Sequence, residues 1–189
     1  MLLDWLARRR MAAFEKTFAY DMAYARELLG WSRKGFWRFA RVTGMAGYRE
    51  GIPLSAWYAA KLVGTRAEDC GPCTQLVVDM ARRGVHAFAA LRAVLRDDPQ
   101  AMDADTALGY RYALAAIGRS DNIFELRDEV LRRFGPRAMA SLALALTGAR
   151  MYPMLKYAMG HGHACVRVRV GEETVATAPM NNPAHAVRA

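Results

Sequence analysis

Cys70-Gly71-Pro72-Cys73 is the stretch of this 189-residue chain whose residue types and spacing best suit redox chemistry. Two cysteines three positions apart in the first turn of a helix lie on one face, close enough for their sulfurs to bond. The thiolate is the reactive form, and a free cysteine at neutral pH is mostly thiol. Unpaired amides at a helix N-terminus stabilise nearby negative charge, so they lower the pKa of a first-turn thiol. Pro72 suits that position because the amide it lacks would have had no partner. Glu68 and Asp69 precede the pair. They act the other way, raising a thiol's pKa or, if suitably placed, taking its proton. With one thiol attacking and the other resolving, the pair can reduce a disulfide or a peroxide and then be re-reduced.

Two other readings of the pair stay open. It forms half of a zinc site, completed from Cys165 and the four histidines, although a second Cys-x-x-Cys is absent. Or it is two inert packed thiols, which the intervening Gly and Pro disfavour. Redox chemistry is preferred over both. His161-Gly162-His163-Ala164-Cys165 puts His, His and Cys at alternate positions, on one face of an extended chain. That spacing suits a metal site or a substitute base over the dithiol, but its ordinary meaning is polar residues leaving a helix. His86 and His185 read as incidental. Tyr110 and Tyr112 read as packing or pocket-lining residues, and Met139, Met151, Met154 and Met159 as core or subunit interface.

Three cysteines do not make a disulfide framework in a chain of this length. Asp4 and Arg8-Arg9-Arg10 interrupt residues 1–12, so no secretory signal is expected. No apolar run approaches the ~20 residues of a membrane span. The expected location is therefore the reducing cytoplasm, where close cysteine pairs are catalytic or metal-binding more often than structural. The net charge of +9 comes mainly from arginines spread along the chain. They are read as solvated helix faces in preference to a surface for nucleic acid or anionic lipid. The same choice is made for Trp31 to Val42, which mixes Phe36, Trp37 and Phe39 with Arg33, Lys34, Arg38 and Arg41.

The elements that must position the dithiol are helical, because Ala, Leu, Met and Arg dominate. A helix is expected over 1–30, closed by Gly30, with a second stripe over Trp31 to Val42. Gly44 to Pro53 reads as a turn-rich connection. Pro53 begins a helix over Leu54 to Val63, ending at Gly64. Thr65-Arg66-Ala67-Glu68 carries a capping-box signature announcing a helix to about Arg83, closed by Gly84. Pro72 fits poorly inside that helix: either the Thr65 turn is separate or Pro72 kinks the helix at the dithiol. Then come Ala87 to Leu95, a turn at Asp97-Asp98-Pro99, and a helix capped by Asp103 or Asp105 through Ile117. A helix from Asp121 to Phe134 follows, and a last long one from Arg137 to about Met159, bent or broken near Pro153. Cys165 to Val170 alternates strictly, and Gly171-Glu172 can turn the chain into Thr174-Val175-Ala176. This hairpin must lie on the helical body or pair with another subunit. Pro179 to Ala189 is expected to fray.

Cys-Gly-Pro-Cys is also the hallmark of thioredoxins, but there it follows a buried strand, and here Leu54 to Arg66 reads as helix. Residues from about Pro53 to Gly160 instead resemble the alkylhydroperoxidase D-like (AhpD-like, carboxymuconolactone decarboxylase-related) all-helical family. The resembling pieces are Ala56 to Val63, Glu68 to Leu76, Gly109 to Ala113 and the helical hairpin at Phe134-Gly135. The resemblance implies an all-α, AhpD-like core over 53–160, with an N-terminal helical extension (1–52) and a C-terminal hairpin and tail (161–189). It implies a Cys70–Cys73 redox pair inside a homo-oligomer, reducing hydroperoxides or disulfides. Peroxidase members have a His four residues beyond the second Cys and a Glu about twelve before the first. Here those positions are Val77 and Tyr58. The expected protein is a thiol–disulfide oxidoreductase or hydroperoxide-reducing antioxidant protein, with Cys70 and Cys73 as the pair and Glu68 and Asp69 as proton handlers. Its expected partners are a small hydroperoxide or disulfide and a reductant. No cofactor, metal, specific nucleic acid or membrane span is expected. The alternative is a non-catalytic helical scaffold that has lost the proton relay.

Overall fold

The computed structural model describes residues 2–82, 88–162 and 167–176. Its helices are α1 (Leu2–Phe18), α2 (Ala23–Trp31), α3 (Arg33–Ala40), α4 (Val42–Gly47) and α5 (Leu54–Ala67). After these come α6 (Gly71–Ala81), α7 (Phe88–Leu95), α8 (Ala104–Gly118), α9 (Ile123–Phe134) and α10 (Pro136–Ala158). A single 3-10 turn, Pro99–Ala101, joins α7 to α8, and the strands β1 (Arg167–Val170) and β2 (Glu173–Ala176) close the described chain. The fold is all-α with a short antiparallel C-terminal hairpin.

Helix α5 is the axis. Nearly every residue from Ala56 to Ala67 is buried, because α6, α8 and α10 all pack around it. The α8 contact is so close that a Cβ on Gly109 would stand 2.3 Å from the Ala56 carbonyl oxygen. Gly148 likewise lets α10 reach α4, where an added Cβ would be 2.6 Å from the Ala46 Cβ. Lys61, buried on α5, donates to the Ala46 carbonyl at 3.1 Å and lies 3.9 Å from the Trp57 ring centroid. Residues 44–53, expected as a connection, therefore begin with the second half of helix α4, which is held onto α5 and α10. Below the 3-10 turn, Asp97 accepts a bidentate pair from the buried Arg66 and a third hydrogen bond from the Tyr110 hydroxyl at 2.8 Å.

Several boundaries differ from the sequence expectation. The helix over 1–30 is two helices, because Ala19 adopts a left-handed backbone and Glu15 turns back to accept from the Met22 amide and the Arg26 guanidinium. Asp103 caps α8 as expected, accepting from the Asp105 and Thr106 amides. Pro153 sits inside α10 without ending it.

The hairpin pairs Arg167 with Ala176 through Val170 with Glu173, turning at Gly171-Glu172. Val168, Val170 and Val175 are fully buried, so the hairpin lies on the helical body. The Gln75 side-chain amide fixes it by donating to the Arg169 carbonyl and accepting from the Arg169 amide. Arg92 of α7 and Arg96 just beyond it both meet Glu173. A second apolar cluster, of Ala7, Met11, Tyr20, Tyr24, Ala25, Leu29 and Phe36, joins α1, α2 and α3, with Leu76 and Leu155 of the main body against it.

Candidate functional site

Helix α5 ends at Ala67 because Asp69 takes a left-handed backbone, a conformation Asp tolerates better than most residues. The chain re-enters helix at Gly71, with Cys70 as the N-cap in an extended conformation. Thr65 to Ala67 therefore extend α5 past the expected stop at Gly64, and the dithiol helix expected from Thr65 starts separately at Gly71. Thr65 does not cap. It is buried inside α5, donating to the Leu62 carbonyl and receiving the Thr74 hydroxyl. Pro72 occupies the first turn of α6, where its missing amide leaves no bond unmade.

Cys70 and Cys73 are disulfide-bonded, with their α-carbons 5.2 Å apart. Two donors converge on the sulfurs. The Cys73 amide donates to Cys70 Sγ at 3.3 Å, which is the N-capping bond of α6. From 53 residues away, the Tyr20 hydroxyl donates to Cys73 Sγ at 3.6 Å. Tyr20 is buried, and that burial pushes its pKa up to about 12, so it is a neutral donor at physiological pH. Lys156 of α10 stacks its ammonium on the Tyr20 ring, 4.7 Å from the centroid, and lies 5.5 Å from the Tyr24 centroid. Burial lowers the Lys156 pKa, while Asp21 partly opposes the shift.

No family model, curated protein or solved structure matches this chain. The chemistry of the site rests on its own geometry.

Glu68 ends α5 and meets the Arg150 guanidinium at 2.5 Å, so its carboxylate is occupied by α10. The Asp69 carbonyl accepts from the Tyr157 hydroxyl at 2.8 Å. Val77 is buried, and Tyr58 is half-buried with a pKa raised by that burial. Neither takes up a proton at neutral pH. The sulfurs themselves are almost shut from solvent, Cys70 at 1% and Cys73 at 3% exposure, with Tyr20, from the turn between α1 and α2, against Cys73. The cleft between Lys16–Ala19 and Asp79, Arg82 and Phe88 lies further along α6 and includes neither cysteine.

Among the described residues no group of three His, Cys, Asp or Glu side chains is placed to hold a metal. His161 pairs with Glu27 at 2.8 Å. His163, Cys165, His86, His185 and the tail after Ala176 lie outside the described residues. Tyr110 and Tyr112 are buried in the core, while Met151 and Met154 are exposed. Among the described residues, no helix is long and apolar enough to cross a membrane. Sequence reasoning missed Tyr20 and Lys156. Tyr20, Tyr24 and the following Leu28 share a helical spacing that reads as core, and nothing local marks the phenol as facing a sulfur.

Proposed function

We propose that this protein is a thiol–disulfide oxidoreductase whose working group is the Cys70–Cys73 pair. The observation that carries the proposal is that each sulfur has its own donor, the Cys73 amide for Cys70 and the Tyr20 hydroxyl for Cys73. A hydrogen bond to the charged form favours it, so both donors hold thiolate in the reduced protein. The Cys70 thiolate, at the N-terminus of α6, attacks one sulfur of a substrate disulfide and expels the other as a thiolate. Cys73 then attacks Cys70 Sγ in the mixed disulfide, releases the second substrate thiolate and closes the Cys70–Cys73 bond. The dithiol loses two electrons and two protons, and the substrate disulfide becomes two thiols. A dithiol reductant restores the pair by the same exchange in reverse.

The alkylhydroperoxidase D-like resemblance adds small hydroperoxides as an alternative oxidant and a homo-oligomeric assembly, while the cysteine usage adds a reducing, cytoplasmic location. With a hydroperoxide, the thiolate attacks the terminal oxygen, the O–O bond breaks to release the alcohol, and the resulting sulfenic acid loses water to the second thiol as the disulfide forms. Disulfide exchange is favoured here, because Val77 and Tyr58 stand at the relay positions and Glu68 is held by Arg150. The burial of both sulfurs favours one competing reading, a structural disulfide in a non-catalytic helical scaffold.

The deciding experiment uses the Cys165→Ser protein, reduced and freed of excess reductant, mixed with 5,5′-dithiobis(2-nitrobenzoate). The expected products are about two released thiolates per chain and a re-formed intramolecular disulfide. Cys70→Ser in the same background stops at a stable mixed disulfide. Loss of thermal stability in Cys70→Ser, with no exchange in the parent on any timescale of the native state, supports the scaffold instead.

A further inference from the structure

The net charge of +9 is unevenly placed once acids are set against bases. Residues 1–14 and 28–49 hold eight Arg and Lys against a single Asp, so seven of the nine net charges sit in 36 residues. The fold brings these two segments together. Asp4, in the first turn of α1, accepts from Arg33 Nε at 2.8 Å and from Trp37 Nε1 at 3.3 Å, stapling α1 to α3. The one acid of the region is thus already engaged, whereas Arg8, Arg9, Arg10, Lys34 and Arg38 are all exposed. Beside them stand large apolar side chains that the described residues leave exposed: Leu2 (70% exposed), Leu3, Trp5, Leu6 and, at the end of α2, Trp31 (70%). Arg9 lies along the Trp5 ring, 4.9 Å from its centroid.

We propose that this end of the molecule, the first two turns of α1 with Trp31 and the basic face of α3, docks on an anionic lipid surface. Each component has a place there. Leucines enter the boundary between headgroups and acyl chains, tryptophans sit at headgroup level, and arginines snorkel to phosphates. At 17 residues and with four charges between Asp4 and Arg10, α1 lies in the surface plane and does not cross it. Two other occupants fit less well. A nucleic acid would use the arginines and tryptophans, but three exposed leucines gain nothing from phosphates or from base stacking. A second copy meeting this patch about a two-fold axis would set the same arginines against each other. This inference does not depend on the redox assignment.

The test is flotation of the full-length protein with vesicles of phosphatidylcholine alone and with about one third phosphatidylglycerol. Binding is expected to the anionic vesicles and to weaken steeply as salt rises. Replacing Arg8, Arg9 and Arg10 together with Gln is expected to cost on the order of 100-fold, about fivefold per charge. Leu2→Ser with Leu3→Ser and Leu6→Ser is expected to cost at least about tenfold, since these side chains carry the insertion. Brominated acyl chains should quench tryptophan fluorescence in the unaltered protein, a readout that needs no variant to fold. The proposal is overturned by equal binding to both vesicles, by anionic binding that the leucine variant leaves unchanged, or by absent quenching. It is equally overturned by duplex DNA or RNA outcompeting the vesicles, or by a dimer that forms through the patch and blocks vesicle binding.

Discussion

Replacing Tyr20 with Phe removes one hydroxyl and leaves the ring that Lys156 stacks on, so it isolates the hydrogen bond to Cys73. Hydrogen bonds to charged groups contribute about 1.5–3 kcal/mol. A contact of 3.6 Å to a large, diffuse sulfur belongs at the low end. About 1.4 kcal/mol corresponds to one pKa unit. The hydroxyl stabilises the thiolate, so its removal raises the Cys73 pKa by about one unit and cuts the thiolate fraction near neutrality about tenfold. The measurement is the pH dependence of iodoacetamide alkylation at Cys73, read by mass spectrometry in a Cys70→Ser, Cys165→Ser background. Restricted access slows alkylation at every pH by the same factor and leaves the midpoint alone, and burial is common to both proteins, so the change in midpoint reports the lost hydroxyl. Lys156→Met should move the midpoint in the same direction by withdrawing the cation from the Tyr20 ring. An unchanged midpoint in Tyr20→Phe would refute the assignment of Tyr20 as the donor that holds the Cys73 thiolate.

Burial lowers the Lys61 pKa from 10.5 to about 8, so between those values the unfolded chain binds the extra proton. Stability should therefore rise with pH across that window, by up to about 3 kcal/mol relative to Lys61→Met in urea titrations. Gly109→Ala drives a Cβ into the Ala56 backbone and should separate α8 from α5, costing about 3 kcal/mol or more and visibly lowering Tm. Asp97→Ala leaves the Arg66 guanidinium buried without its carboxylate and should cost about 3 kcal/mol. Tyr110→Phe, which removes a single hydrogen bond to the same carboxylate, should cost about 1 kcal/mol by chemical denaturation.

What was legible in the sequence was decided locally. The alternation from Cys165 to Val170 and the Gly171-Glu172 turn mark the hairpin because a half-buried strand must repeat every two residues. Pro53 before α5 marks a helix start through its fixed backbone angle, and Asp103 before α8 through capping bonds made within one turn. The dithiol is legible for the same reason, since spacing alone puts both sulfurs on one turn. The misreadings come from partners far along the chain. Thr65 and Glu68 have the spacing of a capping box, but Thr74 takes the hydroxyl and Arg150, 82 residues away, takes the carboxylate. The break at Ala19 carries no Gly or Pro; it follows from Glu15 bonding to Met22 and Arg26. Tyr20 was invisible as a site residue because only tertiary packing brings it to the sulfur.

The burial of the disulfide beneath Tyr20, in the turn between α1 and α2, has a kinetic consequence. A reductant in bulk water meets the sulfurs only when the packing around Tyr20 opens, so reduction proceeds through a rarely visited open form. At low reductant the rate should grow in proportion to concentration, scaled by the fraction of molecules open. At high reductant it should level off at the rate of that opening, whatever thiol is used. The oxidised pair then behaves as a timer whose setting is written in the contacts between Tyr20, Leu76 and Leu155.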